Sequence, residues 1–304
     1  KLNADNLSLD KIDQQIQQSI IALEEYRHFL NKTVSSLAKK EFPGDLFHDE
    51  KVFNRFTGGR YQLSKVKHAI EKKIIPIQNR IFHLSLPLYL KDHDEPVWLD
   101  RDDTLEVIRW SIESLRNNPD DLVSGEQVLS YYYNSLGNLE KFIYSQNLFE
   151  KNSHTRIHLD IAPSFSLNPY PAYLFNFHPK DFHKEIVYYI KQPENTSKRY
   201  YLNKKEIDIF NIKRVVPGFA MQWAQSRRQR SLLRYLFPAE ITLQGWQHYA
   251  LDMILEEGFG DWDTDYHLLK LLNQLEIAQC ALTEIEYYKG VSSREDSESV
   301  LISQ

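Results

Sequence analysis

The sequence predicts a mainly α (α+β) fold, a helical bundle with one small antiparallel β-sheet at about 154–202. Three observations predict it. Apolar residues recur every three to four positions over long stretches at both ends of the chain, which is the repeat of a helix with one buried face. Between 154 and 202 that repeat gives way to short alternating runs, the repeat of a strand. Pro, Gly and small polar clusters divide these stretches from one another.

Residues 8–41 read as one long amphipathic helix, with Ile12, Ile16, Ile20, Leu23, Tyr26 and Leu30 on one stripe. Phe42-Pro43-Gly44 stops it, and Thr57-Gly58-Gly59 is a turn. A second helix is expected over about 63–81, kinked or divided by Pro76. Asp92-His93-Asp94-Glu95-Pro96 is a polar loop, and Asp103-Thr104 is placed to cap a helix reaching about Arg116. After the break at Asn118-Pro119 a helix is expected over about 125–149, with Tyr131, Tyr132 and Tyr133 in its middle. Three strands follow: Arg156 to Ile161, Ala172 to Phe177 and Glu185 to Ile190, with Pro163, Pro169, Pro171 and Pro179 between them. From about 204 the chain is helical again. One kinked helix covers about 204–236, a second about 239–257, ended by Gly258 and Gly260, and a third about 263–288. The tail from 291 to 304 is rich in Ser and acids and is expected to be mobile. The organisation is therefore a helical region 1–150, a sheet subregion 151–203, a motif-bearing helical region 204–290 and a tail 291–304, within one compact domain.

The 304 residues suffice for one large domain or two smaller ones, and 42% apolar with 26% charged residues is ordinary for a globular protein. A net charge of −5 gives no global signal for nucleic acid. The single cysteine, Cys280, excludes an intrachain disulfide and a thiolate cluster. Its apolar helical setting marks it as a core residue. No run of 18 apolar residues spans a membrane. The chain begins at Lys1, without an initiator Met or a signal-peptide core, and is expected to be processed, truncated or incomplete. There is no nucleophile elbow, Walker loop or dinucleotide fingerprint.

The most informative stretch runs from Lys213 through Arg214, Pro217, Gly218 and Phe219 to Gln222, followed downstream by Gln244-Gly245-Trp246-Gln247-His248-Tyr249-Ala250. This pair of segments resembles the domain of unknown function 885 family, a group of metallopeptidase-like proteins. That family carries H-E-x-x-P-G-H-x-x-Q on one helix and E-G-W-x-x-Y-A on a following one. Pro217, Gly218 and Gln222 match the first motif; Gly245, Trp246, Tyr249 and Ala250 match the second. The likeness continues through Glu256-Glu257-Gly258 and Lys289-Gly290, and more weakly back over Ala22 to Leu30.

The resemblance implies a gluzincin-like helical scaffold in which two His and a Glu hold Zn²⁺ and a second Glu activates bound water. Here those positions hold Lys213, Arg214, Phe219 and Gln244. An ammonium has no lone pair for a metal, a guanidinium cannot accept a proton, and a phenyl ring offers no ligand atom. A neutral amide is a weak ligand. The resemblance therefore implies a catalytically inactive, metal-free relative with no cofactor. It would act as a peptide- or protein-binding module whose cleft is marked by Pro217, Gly218, Gln222, Trp246, His248 and Tyr249. It also implies a missing N-terminal half or a partner chain that completes the fold, and a periplasmic or lipid-anchored location.

Other constellations compete with this reading. His154, His158, His178 and His183 fall within thirty residues and could form a relocated metal site; surface or hydrogen-bonded roles in a β region explain them more simply. His248, one turn after Gln244, is the titratable group for an alternative hydrolase without zinc. Arg227, Arg228, Arg230 and Arg234, with Lys213 and Arg214, make the first motif helix strongly basic, which could hold an anion or an acidic partner in the cleft; for residues 227–234 a solvated face paired to nearby acids such as Glu240, Glu256 and Glu257 is the simpler reading.

Overall fold

The computed structural model describes residues 9–37, 50–93, 101–149, 156–163, 166, 172–175, 185–191, 203–227, 239–289 and 291–302. The fold is mainly α, as expected. Helix α1 (Leu9–Phe29) passes through a π-helical turn, Leu30–Val34, into Ser35–Leu37. It is followed by α2 (Glu50–Thr57), α3 (Leu63–Asp92), α4 (Arg101–Asn117) and α5 (Val128–Ser145). Strands β1 (Arg156–Ile161), β2 (Ala172–Phe175) and β3 (Glu185–Ile190) come next. Helices α6 (Lys204–Arg214), α7 (Phe219–Arg227), α8 (Glu240–Glu256), α9 (Thr264–Tyr288) and α10 (Arg294–Ile302) complete the chain.

Several elements depart from expectation for identifiable reasons. Pro76 and Pro87 both lie inside α3 without dividing it, because α3 is held along its length against α4 and α9. Asp103-Thr104 falls within the first turn of α4, not at its cap. The tyrosine triplet sits near the start of α5 because that helix is shorter than its apolar pattern suggests. The tail, expected to be mobile, forms α10. Ser293 Oγ accepts from Asp296 N at 3.0 Å and donates to its carboxylate at 2.7 Å, a reciprocal cap at the helix start. Cys280 is exposed rather than buried, since α9 outruns the core and Ile277, three residues earlier, also faces out at 41%.

The sheet is mixed, not antiparallel. Its order is β1-β3-β2, with β1 parallel to β3 from Arg156↔Glu185 to Ile161↔Ile190, and β2 antiparallel to β3. The link from Ile161 to Glu185 contains β2 and is long enough to return the chain to its starting end, as a parallel pair requires. Ile186, Tyr188 and Ile190 alternate inward from β3, and Tyr188 meets Tyr132 of α5 edge-on at 5.8 Å.

Helix α6 is the centre of the molecule. It packs on α5, α8 and α9 and buries Ile207, Ile209 and Ile212. Its start is fixed by Asn203, whose side chain accepts from Lys205 N and Glu206 N and donates to Leu115 O at 3.0 Å. Lys205 ties that end to Asp263 (2.8 Å) and Asp265 at the start of α9. By contrast, residues 11–36, in α1 and the helical turns that continue it, are all exposed, with Ile16 at 49% and Leu23 at 67%. The apolar stripe read from the sequence exists, but among the described residues nothing covers it. No helix of the described residues is long and apolar enough to cross a membrane.

Candidate functional site

Helix α6 ends where the first motif begins. Val215 N and Val216 N both reach back to Asn211 O, at 2.8 and 3.2 Å, and Pro217 has no N–H to continue the ladder. The chain turns through 215–218, with a cis Val216–Pro217 peptide, and restarts as α7, where Gln222 N bonds Gly218 O at 3.1 Å. The single kinked helix expected over 204–236 is thus two helices and a turn, with residues 228–238 outside the described ones. Gly218 makes the turn sterically feasible. A Cβ there would stand 1.9 Å from Lys213 O and 2.4 Å from Ile212 O.

The second motif docks onto this turn. The Trp246 indole of α8 donates to Pro217 O at 2.7 Å. Its ring lies 5.5 Å from Tyr249 and 6.4 Å from Phe149. Tyr249 itself is 58% exposed. The two motifs identified in the sequence therefore meet, and they meet through Pro217 O and Trp246.

Lys213 and Arg214 leave the buried helix at this point. Lys213 Nζ donates to Asn273 Oδ1 on α9 at 2.6 Å. Arg214 Cζ lies 5.7 Å from the Phe210 ring centroid, one turn back. Burial, then the Arg214 charge, push the Lys213 ammonium down to about 8, against the opposing pull of Glu276. His248 on α8 is shifted down by burial, then by Lys213 and Arg214, with Asp252 opposing, so its imidazole is neutral at pH 7. Lys213, Arg214 and His248 thus share one electrostatic neighbourhood between α6 and α8. The negative end of the α6 dipole offsets part of the cost of these cations.

The other two substituted positions are held locally. Phe219 is half-buried against Trp223 at 5.5 Å, one turn along α7. Gln244 is exposed and accepts from Gln247 Nε2 at 2.8 Å. Gln222 is half-buried, and its Oε1 is enclosed without a hydrogen-bond partner. Among the described residues no group of three or more His, Cys, Asp or Glu is placed to hold a metal ion. His158 is exposed on β1. His154, His178, His183, Arg228, Arg230 and Arg234 lie outside the described residues. A concavity of about 700 Å³ does occur along α1, lined by Ile12, Ile16, Ile20 and Leu23 with Lys11, Gln14, Gln15 and Ser19, but all of its lining comes from one exposed helix.

Sequence reasoning missed Asn273 and a buried polar cluster one turn before Lys213. Asp208 is 6% exposed. It accepts from Ser135 Oγ at 2.5 Å and from the Tyr266 hydroxyl at 2.6 Å. The available signal was a pair of polar residues, Asp208 and Asn211, three apart in an otherwise apolar helix.

The displaced pKa of Lys213 carries a stability consequence. Its folded value lies below the unfolded 10.5, so the cost of the charge is fully present below about pH 8 and disappears as pH rises through 10.5. Lys213→Met should therefore stabilise the protein by on the order of 2–3 kcal/mol at pH 7. Urea titrations of both proteins should show that gain shrinking towards pH 10.5. A pH-independent difference would mean the ammonium is solvated.

No family model and no curated protein matches the sequence. Solved structures that share the fold include two proteins, one from Shewanella oneidensis and one from Colwellia psychrerythraea. A protein of unknown function from Shewanella oneidensis, assigned to the lipoproteins, superposes with a TM-score of 0.69 at 18% identity, covering 98% of this chain and 57% of that one. A protein from Colwellia psychrerythraea, likewise assigned to the lipoproteins, superposes with a TM-score of 0.73 at 15% identity, covering 99% of this chain and 51% of that one. The chain thus spans little more than half the length of either structure.

Proposed function

We infer that this chain is a degenerate relative of the domain of unknown function 885 family that binds a peptide or protein segment and performs no zinc hydrolysis. The observation that carries the reading is the docking of Trp246 on Pro217 O, 2.7 Å away. It joins the two motif segments while Lys213 and Arg214 occupy the ligand and base positions. Two cations side by side disfavour a divalent metal, and neither can deprotonate water. The lipoprotein assignment of both structural neighbours supports a lipid-anchored or periplasmic placement as part of the same proposal.

The test is metal analysis of the purified protein together with turnover assays on peptides and esters. Substoichiometric zinc that a chelator does not change, with no turnover, is the expected result. A stoichiometric, chelator-sensitive metal overturns the proposal. The neutral imidazole of His248 supports a second reading, a hydrolase without zinc. Turnover that is lost in His248→Ala would favour it.

A further inference from the structure

We propose that Trp262 is a docking platform for a cationic side chain, arginine or lysine, of a protein partner. The platform lies on the turn that links α8 to α9. It stands apart from the Trp246–Pro217 junction and does not rest on the peptide-binding reading above. Four residues of that turn adopt the left-handed conformation: Gly258 (φ +93°), Gly260 (+74°), Asp261 (+55°) and Trp262 (+56°). Glycine does so freely, whereas for Asp and above all for Trp the Cβ crowds the backbone.

The turn is pinned at both ends while the indole stays open. Asp261 N bonds Gly258 O at 3.1 Å, and Asp263 N bonds Gly260 O at 3.0 Å. Phe259 meets Phe142 and Tyr266 edge-on, at 5.4 and 5.8 Å. Asp263 caps α9 and pairs with Lys205 at 2.8 Å. The Trp262 ring rests on Gly258, where a Cβ would come within 2.6 Å of it, yet the residue is 65% exposed. A lone exposed apolar residue is ordinary. An indole presented on a strained and anchored backbone is preorganised for contact.

Charge selects the occupant. Between 237 and 269 the chain carries seven Asp and Glu and no Lys or Arg. Glu257 adjoins Gly258, and Asp261 adjoins Trp262. These two and Glu256 are exposed, and none of the three forms an ion pair. Lys205, the cation at the end of the turn, is already held by Asp121, Asp263 and Asp265. Lys270 and Arg80 lie beyond the turn, close enough to His267 to lower it, and Asp252 takes up Lys270 at 2.7 Å. A guanidinium or ammonium on the open indole would meet both the negative face of the ring and the unpaired carboxylates. A neutral sugar would gain only the ring.

The test follows the Trp262 indole N–H resonance of the full chain, assigned through Trp262→Phe. The probes are acetyl-Arg-Gly-Arg-amide, the same peptide with citrulline in place of arginine, and cellobiose. The arginine peptide should shift that resonance saturably and bind at least about fivefold more tightly than the citrulline peptide. Glu256→Gln, Glu257→Gln and Asp261→Asn together leave the ring in place and should abolish the preference, with circular dichroism confirming the fold. Equal binding of the two peptides, or a preference that survives the triple substitution, overturns the proposal. So does a shift with cellobiose alone, or no shift with any probe.

Discussion

Gly218→Ala should cost on the order of 4 kcal/mol or more and lower the melting temperature by roughly 10 °C. The added methyl carbon would sit 1.9 Å from Lys213 O and 2.4 Å from both Ile212 O and the Lys213 carbonyl carbon. All three are backbone atoms, and they belong to the last turn of α6, which is anchored in the core by Ile212. No side chain can swing aside, so α6 and α7 must part. Parting them pulls Pro217 O away from the Trp246 indole and dismantles the contact that joins the two motifs. Gly245→Ala provides the control. Gly245 lies inside α8, and nothing stands within 4 Å of the place an alanine methyl would take. Alanine there should be neutral or stabilising by about 0.5–1 kcal/mol through helix propensity. Differential scanning calorimetry of the two variants beside the parent protein makes the comparison. A Gly218→Ala protein that melts within a degree or two of the parent would mean the close approach at the turn does not exist.

The contrast between these glycines shows what was legible in the sequence. Pro217-Gly218 announces a break in a helix through chemistry local to two residues, and Gly258 and Gly260, at φ +93° and +74°, end α8 where they were expected to. Helices with one apolar stripe were equally legible, since periodicity records a single buried face. The apolar α9 stretch around Cys280 misled for the same reason. Periodicity reports that a face is apolar, not how far the core extends to cover it. The pairing of β1 with β3 was not legible, because strand order depends on where a long connection returns. That the two motif segments meet was implied by the resemblance, but the Trp246 contact with Pro217 O that joins them was not read from the sequence. Nor were the roles of Phe219 and Gln244, for their contacts are with Trp223 and Gln247 in their own helices. The Asp208 cluster draws on four separate elements, so no single stretch of sequence displays it.

That cluster leads to the second large effect: Asp208→Ala should destabilise the protein by about 3–5 kcal/mol. The Asp208 carboxylate accepts from Ser135 Oγ (2.5 Å) and the Tyr266 hydroxyl (2.6 Å), and from Tyr131 at 3.3 Å to each oxygen. Ser135 Oγ in turn accepts from Asn211 Nδ2 at 2.9 Å, and Asn211 Oδ1 accepts from the Tyr188 hydroxyl at 3.0 Å. One acceptor thus organises donors from α5, α9 and, through Asn211, β3 around α6. Alanine would leave three hydroxyl groups without their acceptor and open a cavity among them. Burial raises the Asp208 carboxyl above its ordinary value, although the three hydrogen bonds pull the other way. A folded value above the unfolded 3.8 means that ionisation costs stability. The cost is absent below about pH 3.8 and complete above the folded value, so it grows as pH rises through that window. Asp208→Asn removes the charge and this pH dependence while keeping one acceptor, and should lose only about 1–2 kcal/mol. Tyr266→Phe, which deletes a single donor, should fall in the same range. Urea unfolding of the three variants at pH 7 and pH 5 separates these contributions. Parent-like midpoints for Asp208→Ala would show that packing alone sets the axis of α6, and with it the position of Lys213 five residues further on.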